Sequence, residues 1–303
     1  MDPMSGSRLI VLAPSKPDAA LAQRIAAVLA RADHWPAAAD GGARVYDDLF
    51  AITPTGWPEA ALTRQIDAGD AEDRHWLRAD PAHFRAEMAN VRLMGCGAQT
   101  LRLDLDEAQA LVAALAPVFG DEGFELSAPV PGRWYLRAFA SNAVPDFPVM
   151  APPDDAIGRD IFELWPEDPI GRRWRRLFSE AQIVLAQHPL NRRREQAKLP
   201  AINGLWFHGA GRLPRRVDSP LSAVSTPDPL LRALAQQAGI ALIDAAGAAD
   251  RNGHLLFDLR NDATPLPSLL DAWDSGRVTE LEWRSPAGRW LRKRWHRWRF
   301  WRR

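Results

Sequence analysis

The sequence has a single cysteine, which excludes the internal disulfides that stabilise small secreted domains. Cys96 also lacks the second thiol of a CxxC motif or cysteine zinc site, so it is interpreted as a small buried residue at a strand end. No run of about 18 apolar residues is present. The start, MDPMSGSRLIVLAP, puts an acidic residue before a short apolar run. The sequence therefore predicts neither a membrane-spanning helix nor a cleavable signal peptide. A cytoplasmic protein is expected.

Several catalytic motifs are missing as well. There is no Gly-x-Ser-x-Gly elbow to expose a serine nucleophile. The segment GLWFHGAG (204–211) lacks the Lys-Ser/Thr of a phosphate loop and the glycine spacing of a dinucleotide fingerprint. The seven histidines are scattered, and no pair has the close spacing of a zinc motif. Local motifs therefore assign no serine hydrolase, nucleotide-binding or zinc chemistry.

Charge is balanced over the whole chain but not along it. Nine Lys and Arg residues and no acidic residue lie between 284 and 303. Because the net charge is zero, the preceding 283 residues carry a charge of minus nine. Two surfaces of opposite sign are predicted.

What is present is an alternation of strand and helix patterns. The segments 7–14 and 91–105 have strand patterns, whereas 17–33 and 106–120 have helical spacing of apolar residues. The alternation continues to residue 276, and 47% of the 303 residues are hydrophobic, enough for one large or two modest domains. We predict an α/β fold with a mixed or mostly parallel sheet flanked by helices.

The expected domain organisation is one α/β domain over residues 1–286 and a basic Trp/Arg-rich tail over 287–303. A proline-rich segment over 143–170 interrupts the alternation, and its six prolines forbid a long helix or a central strand. We interpret it as a surface connection and a candidate subdomain boundary.

Polar donors are concentrated in QHPLNRRREQAKLPAINGLWFHGAG (187–211). The helix before this stretch is predicted to end near His188, because a residue preceding proline leaves helical geometry, and the helix dipole there favours a protonated imidazole. Asn191 is the predicted N-cap of a short turn that Pro200 ends. The histidines fit capping, core or ligand-binding roles, and the arginines fit a solvated helix face or an anion site.

The order HPLN, arginines, LPAINGLWFHGAG resembles the HPxN and PxNxxWxWGxG segment of archaeal-type cofactor-independent phosphoglycerate mutases. It is closer still to the bacterial phosphoglycerate mutase-like proteins known as RpfE-type regulatory proteins. WLRADPAHFR (76–85), PGRWYLRA (131–138) and DPLLRALAQQAGI (228–240) resemble that second group too. His208 departs from the pattern, since it stands where the family has a second tryptophan. The resemblance spans about residues 70 to 240.

The resemblance implies an alkaline-phosphatase-like relative, whose active members use a Ser or Thr nucleophile and two metal ions held by Asp and His. The first strand ends VLAPSKP, which offers Ser15 but no adjacent carboxylate. DRNGH resembles a metal signature through Asp250 and His254, but an ordinary hairpin turn at Asn252-Gly253 is favoured. No cofactor is therefore expected, and manganese or zinc only if the protein is catalytic.

Three functions stay open. The first is a catalytically degenerate phosphoglycerate mutase-like protein with a regulatory or ligand-sensing role toward a small phosphorylated acid. The second is an active metal-dependent mutase or phosphatase, and the third is a nucleic-acid-binding regulator. A protein without enzymatic activity is favoured. The ligand-binding candidates are His188, Asn191, Arg194, Asn203, His208, Arg78, Asp80, His83 and Arg133.

The tail GRWLRKRWHRWRFWRR interleaves basic residues with tryptophans, and Trp295, Trp298 and Trp301 repeat every third residue. If it is helical, Leu291 joins Trp295 and Trp298 in a stripe that packs on the domain. Alternatively, it binds nucleic acid, an anionic membrane surface or an acidic partner. The anion-binding candidates are Arg292, Lys293, Arg294, Trp295, Arg297 and Trp298.

We expect His188, Asn191, Asn203 and His208 to lie in one locality, because the turn between them is short. A hinge in which asparagine amides bridge backbone groups is favoured over a ligand site. Truncating Asn203 in such a hinge costs about 1–3 kcal/mol.

Overall fold

The computed structural model describes residues 7–14, 17–37, 44–72, 74–88, 90–139, 145–244 and 252–298. The strands are β1 Arg8–Leu12, β2 Asp33–Pro36, β3 Ala51–Thr53, β4 Trp76–Ala86, β5 Val91–Cys96, β6 Phe124–Val130, β7 Arg133–Ala138, β8 Gly204–Gly211, β9 Arg216–Asp218, β10 Ala223–Ser225, β11 Ala241–Leu242, β12 His254–Asp258, β13 Glu280–Ser285 and β14 Gly288–Lys293. The helices are α1 Ala19–Leu29, α2 Glu59–Asp67, α3 Ala98–Leu101, α4 Leu105–Gly120, α5 Pro153–Ala156, α6 Ile161–Leu164, α7 Pro169–Gln187, α8 Pro189–Gln196, α9 Pro229–Gln237 and α10 Leu266–Asp274. Within these ranges, no helix is long and apolar enough to cross a bilayer.

The chain forms two compact units. Unit 1 comprises Met1–Thr55 and Arg215–Arg303, and unit 2 comprises Gly56–Pro214. The divisions therefore fall near residues 55 and 214, whereas the described part of the proline-rich segment, 145–170, lies inside unit 2. Before α7 begins at Pro169, that part carries the four-residue helices α5 and α6 and no long element, as its prolines predict.

Unit 1 is built on a seven-stranded sheet in the order β11-β10-β12-β1-β13-β14-β2. The first five strands pair in parallel, whereas β14 is antiparallel to both β13 and β2. β1 is buried along almost its whole length, as expected of a central parallel strand covered on both faces. Apolar side chains of α1 and α10 share one core cluster with β1, β12 and β13. The prediction of an α/β fold with a mixed, mostly parallel sheet is confirmed for this unit.

The described part of the tail is not helical in the way the stripe requires. β14 lies inside the sheet, and the Trp290 ring stacks on His34 with centroids 4.4 Å apart. Arg294–Trp298 then forms a 3-10 turn, in which the side chains of Trp295 and Trp298 are exposed. The helical stripe hypothesis is therefore wrong for these residues, because Leu291 lies on a strand and the two tryptophans are exposed instead of packed on the domain.

Unit 2 contains an antiparallel sheet of five strands. The 11-residue β4 pairs with β8 along one edge and with β7 and β5 along the other, while β6 pairs with β7. One sheet face packs against α4 and α7 in a large apolar core. The other face packs against α2 and carries Trp76 and Tyr135. Alternation along each strand thus sends neighbouring residues into two different environments.

Candidate functional site

His188 ends one helix and begins the next. Its Nδ1 accepts a hydrogen bond from the Leu190 N–H at 3.2 Å, so the ring caps α8. Asn191 lies inside α8 and is not the predicted N-cap, because the proline after His188 starts the helix earlier. The Asn191 amide donates to the carbonyls of Leu185 (2.7 Å) and Ile202 (2.8 Å) and accepts from the Ile202 N–H at 2.8 Å. Both side chains therefore bind backbone groups.

Asn203 performs the same task on β4. Its Oδ1 accepts from the Phe84 N–H at 2.7 Å, and its Nδ2 donates to the Phe84 carbonyl at 2.8 Å. The β4–β5 register shifts between His83 and Phe84, and such a bulge leaves backbone groups without ladder partners. The His83 Nδ1 lies 2.8 Å from the Ala201 carbonyl oxygen. This end of the β4–β8 pair is joined by backbone-bridging side chains, as the hinge hypothesis expects.

Arg194 is buried, with 1% of its surface exposed. Its guanidinium donates to the Leu101 carbonyl and to Glu107 Oε2, the latter at 2.6 Å. Arg192 and Arg193 are exposed and form the solvated part of the run. The three arginines therefore divide into one buried structural side chain and two surface charges.

The four residues expected in one locality are at two places. Asn191 and Asn203 act near Ile202, whereas His208 lies opposite Arg78 near the other end of the β4–β8 pair. Five residues of strand separate Asn203 from His208, which is roughly 16 Å.

His208 belongs to a buried charged group that we name the His208 cluster. Residues four apart on a helix lie on the same face of that helix, and residues two apart on a strand lie on the same face of the sheet. The cluster forms where one face of α2 packs against one face of the antiparallel sheet. Its members are Glu59, Thr63 and Asp67 on α2, Arg78 and Asp80 on β4, Arg133 and Tyr135 on β7, and His208 on β8.

His208 contacts two carboxylates. Its Nδ1 lies 3.0 Å from Glu59 Oε2, and its Nε2 lies 3.1 Å from Asp80 Oδ2. A neutral imidazole has one N–H, so both contacts are hydrogen bonds when the ring is an imidazolium. Only 3% of the His208 surface is exposed. As an imidazolium, His208 is held between two carboxylates away from solvent.

Arg78 completes the charge balance. Its Nε and Nη2 donate to the two Asp80 oxygens at 2.8 and 2.5 Å, and its Nη1 donates to Thr63 Oγ1 at 3.2 Å. Burial raises the pKa of Asp80, but the charges and hydrogen bonds of Arg78 and His208 outweigh it, so this pKa lies below its ordinary value. Burial lowers the pKa of Arg78, yet Asp80 outweighs that and raises it.

Arg133, the remaining candidate, pairs with Asp67 through Nε at 2.6 Å and Nη2 at 2.5 Å. The Tyr135 hydroxyl donates to the same carboxylate at 2.5 Å, and burial raises the pKa of this phenol. The Asp67 side chain is 2% exposed and that of Arg133 is 28% exposed. Since each charged group of the His208 cluster has its counterion inside the cluster, the arrangement supplies a structural ion network.

A second charged group lies in unit 1, at the carboxyl ends of the parallel strands. We name it the Arg260 cluster; its members are Tyr46, Thr226, Asp228, Asp258 and Arg260. Asp258 ends β12, Thr226 follows β10, and Asp228 caps α9. In open α/β sheets ligands bind at this edge.

One guanidinium bridges two carboxylates in the Arg260 cluster. Arg260 donates to both Asp258 oxygens at 2.8 Å and to Asp228 Oδ2 at 2.6 Å, while Thr226 Oγ1 donates to Asp258 at 2.7 Å. Burial raises the pKa of Asp258, but Arg260 and Thr226 outweigh it and lower that pKa. The Arg260 side chain is 31% exposed and that of Asp258 is 1% exposed. This cluster therefore reaches solvent through its cation.

Sequence reasoning did not identify the Arg260 cluster. The available signal was a pair of charged residues at the end of a predicted strand, Asp258 and Arg260 in HLLFDLR, together with Asp228 before the proline that opens α9.

The metal candidates do not join this edge. His254 begins β12, so four residues of strand, about 13 Å, separate it from Asp258. Asp250 and Ser15 lie outside the described residues. The hairpin alternative at Asn252-Gly253 is wrong, because β11 and β12 both pair in parallel with β10. Within the described ranges, no group of three or more His, Cys, Asp or Glu is placed to hold a metal ion. The His, Cys, Asp and Glu side chains of the described ranges therefore do not fit the two-metal centre that the resemblance implies.

The basic tail candidates have different surroundings. The Lys293 ammonium pairs with Glu280 at 2.7 Å. The half-buried Arg292 lies on β14, whereas Arg297 is exposed. Arg294 donates to the Val278 carbonyl at 3.0 Å.

No family model matches the chain. A probable 2,3-bisphosphoglycerate-independent phosphoglycerate mutase of Geobacter sulfurreducens is 29% identical over 174 residues, which cover 55% of this chain and 42% of that protein. The corresponding mutase of Methanosarcina barkeri is 30% identical over 182 residues, which cover 57% of this chain and 44% of that protein. The chain is similar in sequence to phosphoglycerate mutases. It spans less than half the length of these curated relatives.

Two solved structures also resemble the chain. The cofactor-independent phosphoglycerate mutase of Thermoplasma acidophilum has 15% identity and a TM-score of 0.42, with 94% of this chain and 89% of that chain covered. A protein of Pyrococcus horikoshii has 12% identity and a TM-score of 0.44, with 95% and 88% covered.

Proposed function

We propose that this chain is a phosphoglycerate mutase-like regulator or ligand sensor that binds a small phosphorylated acid without mutase turnover. Sequence similarity to phosphoglycerate mutases supports the ligand class. The regulatory role is proposed from the resemblance of the segment 187–211 to the RpfE-type proteins. The observation that carries the loss of turnover is the Arg260 cluster, where a guanidinium neutralises the carboxylates at the carboxyl edge of the parallel sheet.

A catalytic two-metal site requires carboxylates that are open to the metal ions. Asp258 is instead held by a bidentate guanidinium and a threonine hydroxyl. Such charge-assisted bonds are about twice as strong as neutral ones, and a cation would have to displace Arg260 from beside the Tyr46 ring. We therefore propose no cofactor, and an active manganese or zinc enzyme is the alternative.

The test is to express the protein with manganese and zinc in the medium, measure the metal content of the purified chain, and assay mutase activity with 3-phosphoglycerate. We expect no stoichiometric metal and no turnover. We also expect 3-phosphoglycerate to raise the melting temperature saturably, because a ligand that binds the folded state stabilises it.

Two outcomes contradict different parts of this proposal. Two tightly held metal ions per chain, or mutase turnover, would establish the enzymatic alternative. A melting temperature that does not respond to millimolar 3-phosphoglycerate would remove the ligand-sensing role.

A further inference from the structure

The 3-10 turn Arg294–Trp298 explains the three-residue repeat of tryptophan. A 3-10 helix has three residues per turn, so side chains at i and i+3 lie on the same side. Trp295 and Trp298 therefore share one side, and Arg294 and Arg297 share the next. The Trp295 and Trp298 side chains are 56% and 59% exposed.

The two residues between Trp295 and Trp298 fix the turn to the rest of unit 1. His296 is completely buried, and its Nδ1 accepts from the Lys293 N–H at 3.4 Å. Arg31 donates to the Arg297 carbonyl at 3.1 Å. The tryptophans are thus presented by a fixed backbone, which lowers the entropy lost when a ligand binds.

A surface depression of about 450 Å³ lies at this turn and is lined by Gly276, Arg294, Trp295, Arg297 and Trp298. We name it the Trp295–Trp298 site. Its volume lies within the range of roughly 300–1,000 Å³ that small-ligand pockets occupy. Its lining contains two guanidinium groups and no acidic side chain.

The charge of the Trp295–Trp298 site is only partly balanced by its surroundings. The Arg294 guanidinium lies 4.5 Å above the Trp273 ring, and its buried Nη2 has no hydrogen-bond partner among the described residues. Asp274, whose charge reaches Arg294, is already paired with Arg24 at 2.5 Å. An anionic group in the depression would therefore meet favourable potential from both arginines.

We propose that the Trp295–Trp298 site binds single-stranded nucleic acid, with a base stacked on the tryptophans and the neighbouring phosphates beside Arg294 and Arg297. Aromatic platforms beside cationic side chains are the recurring chemistry of such sites. The rise between i and i+3 of a 3-10 helix is about 6 Å, close to two nucleobase stacking steps of about 3.4 Å. Segments that lie in a membrane interface are amphipathic α-helices, whereas the described residues of this segment form a 3-10 turn.

The test uses the full chain and fluorescein-labelled oligo(dT), with binding followed by fluorescence anisotropy at increasing salt. Trp298→Ala should weaken binding at least fivefold, because stacking contributes about 1–3 kcal/mol per base. Arg297→Gln should weaken binding and reduce the slope of log Kd against log salt by about one. Both side chains are exposed, so the fold should be retained, which circular dichroism checks.

Trp35→Ala is the matched control, since Trp35 is also an exposed tryptophan of unit 1 beside an arginine, with Arg289 4.6 Å from its ring centre. It should bind oligo(dT) as the wild type does. The proposal is overturned if the wild type does not bind oligo(dT), if Trp298→Ala binds unchanged, or if Trp35→Ala loses as much affinity. Binding to phosphatidylserine vesicles without binding to oligo(dT) would overturn it in favour of a membrane surface.

Discussion

The His208 cluster and the Arg260 cluster both contain an Arg–Asp pair two residues apart. Arg78 and Asp80 lie in the middle of a strand under α2 and are less than 10% exposed. Arg260 and Asp258 lie where a parallel strand ends, and the Arg260 side chain is 31% exposed. The same bidentate contact is therefore a sealed structural pair in one unit and an accessible cation in the other. Position in the sheet, more than residue type, decides which charged pair can meet a ligand.

The largest effect is expected from Asp80→Asn. The substitution leaves Arg78 and His208 without the carboxylate between them in a buried environment. Removing one partner of a buried ion pair costs about 3–5 kcal/mol, so the free energy of unfolding in urea should fall by that amount.

Glu180→Gln is the control for Asp80→Asn. Glu180 pairs with Arg176 at 3.6 Å, and both side chains are about half exposed. Exposed pairs contribute roughly 0–1 kcal/mol, so no clear loss is expected. A similar small loss in Asp80→Asn would mean that the His208 cluster is hydrated and open, which would end the contrast with the Arg260 cluster.

The fold of unit 1 was largely predictable, because its strands are apolar runs and its helices have regular spacing. The 11-residue β4 was not predicted, since Arg78, Asp80 and Pro81 interrupt its apolar pattern. Their burial depends on α2, which contributes the carboxylates that offset the cations. The local hydrophobic pattern therefore does not predict a strand whose buried charges are paired with charges from a distant segment.

Much of the candidate site was predictable from the sequence, but the contribution of α2 to it was not. Arg78, Asp80, Arg133 and His208 were all candidates, and the structure joins them with α2 in one cluster. Asn203 is bound elsewhere, because strand alternation and a bulge decide which backbone group an amide meets. Partners more than 100 residues apart have no signal in one sequence.

The Asn203 amide is a half-buried polar group of unit 2 that carries no charge, so it tests the effect of lost hydrogen bonds apart from that of lost ion pairs. Asn203→Ala leaves the Phe84 N–H and carbonyl at the β4 bulge without their amide partner. The expected cost is about 1–3 kcal/mol of unfolding free energy, visible as a lower melting temperature with unchanged binding of 3-phosphoglycerate. A stable Asn203→Ala protein that loses affinity for that ligand would replace the hinge with a ligand site.

Arg260→Met should have a smaller effect on stability, roughly 1–2 kcal/mol, because water reaches this guanidinium and replaces part of its hydrogen bonding. The change releases Asp228 and Asp258, so manganese should raise the melting temperature of the variant but not of the wild type. Arg216→Met is the control, since Arg216 also pairs with an aspartate two residues away but is 72% exposed. If manganese does not raise the melting temperature of Arg260→Met, the Arg260 guanidinium does not occupy the place of a metal cation.

The smallest expected effect is the acid dependence of the Arg260 cluster. The folded pKa of Asp258 is lower than its unfolded value, so its contribution to stability is present above about pH 4 and is lost as the pH falls through the folded pKa. Asp258→Asn lacks this contribution at every pH. The difference in unfolding free energy between wild type and Asp258→Asn should therefore be constant from pH 7 to about 5 and shrink as the pH falls below about 4. Urea titrations at a series of pH values measure it. A difference that stays constant into the acid range would show that Asp258 acts through packing and neutral hydrogen bonds, and the charge pairing that distinguishes this cluster would then contribute nothing to the fold.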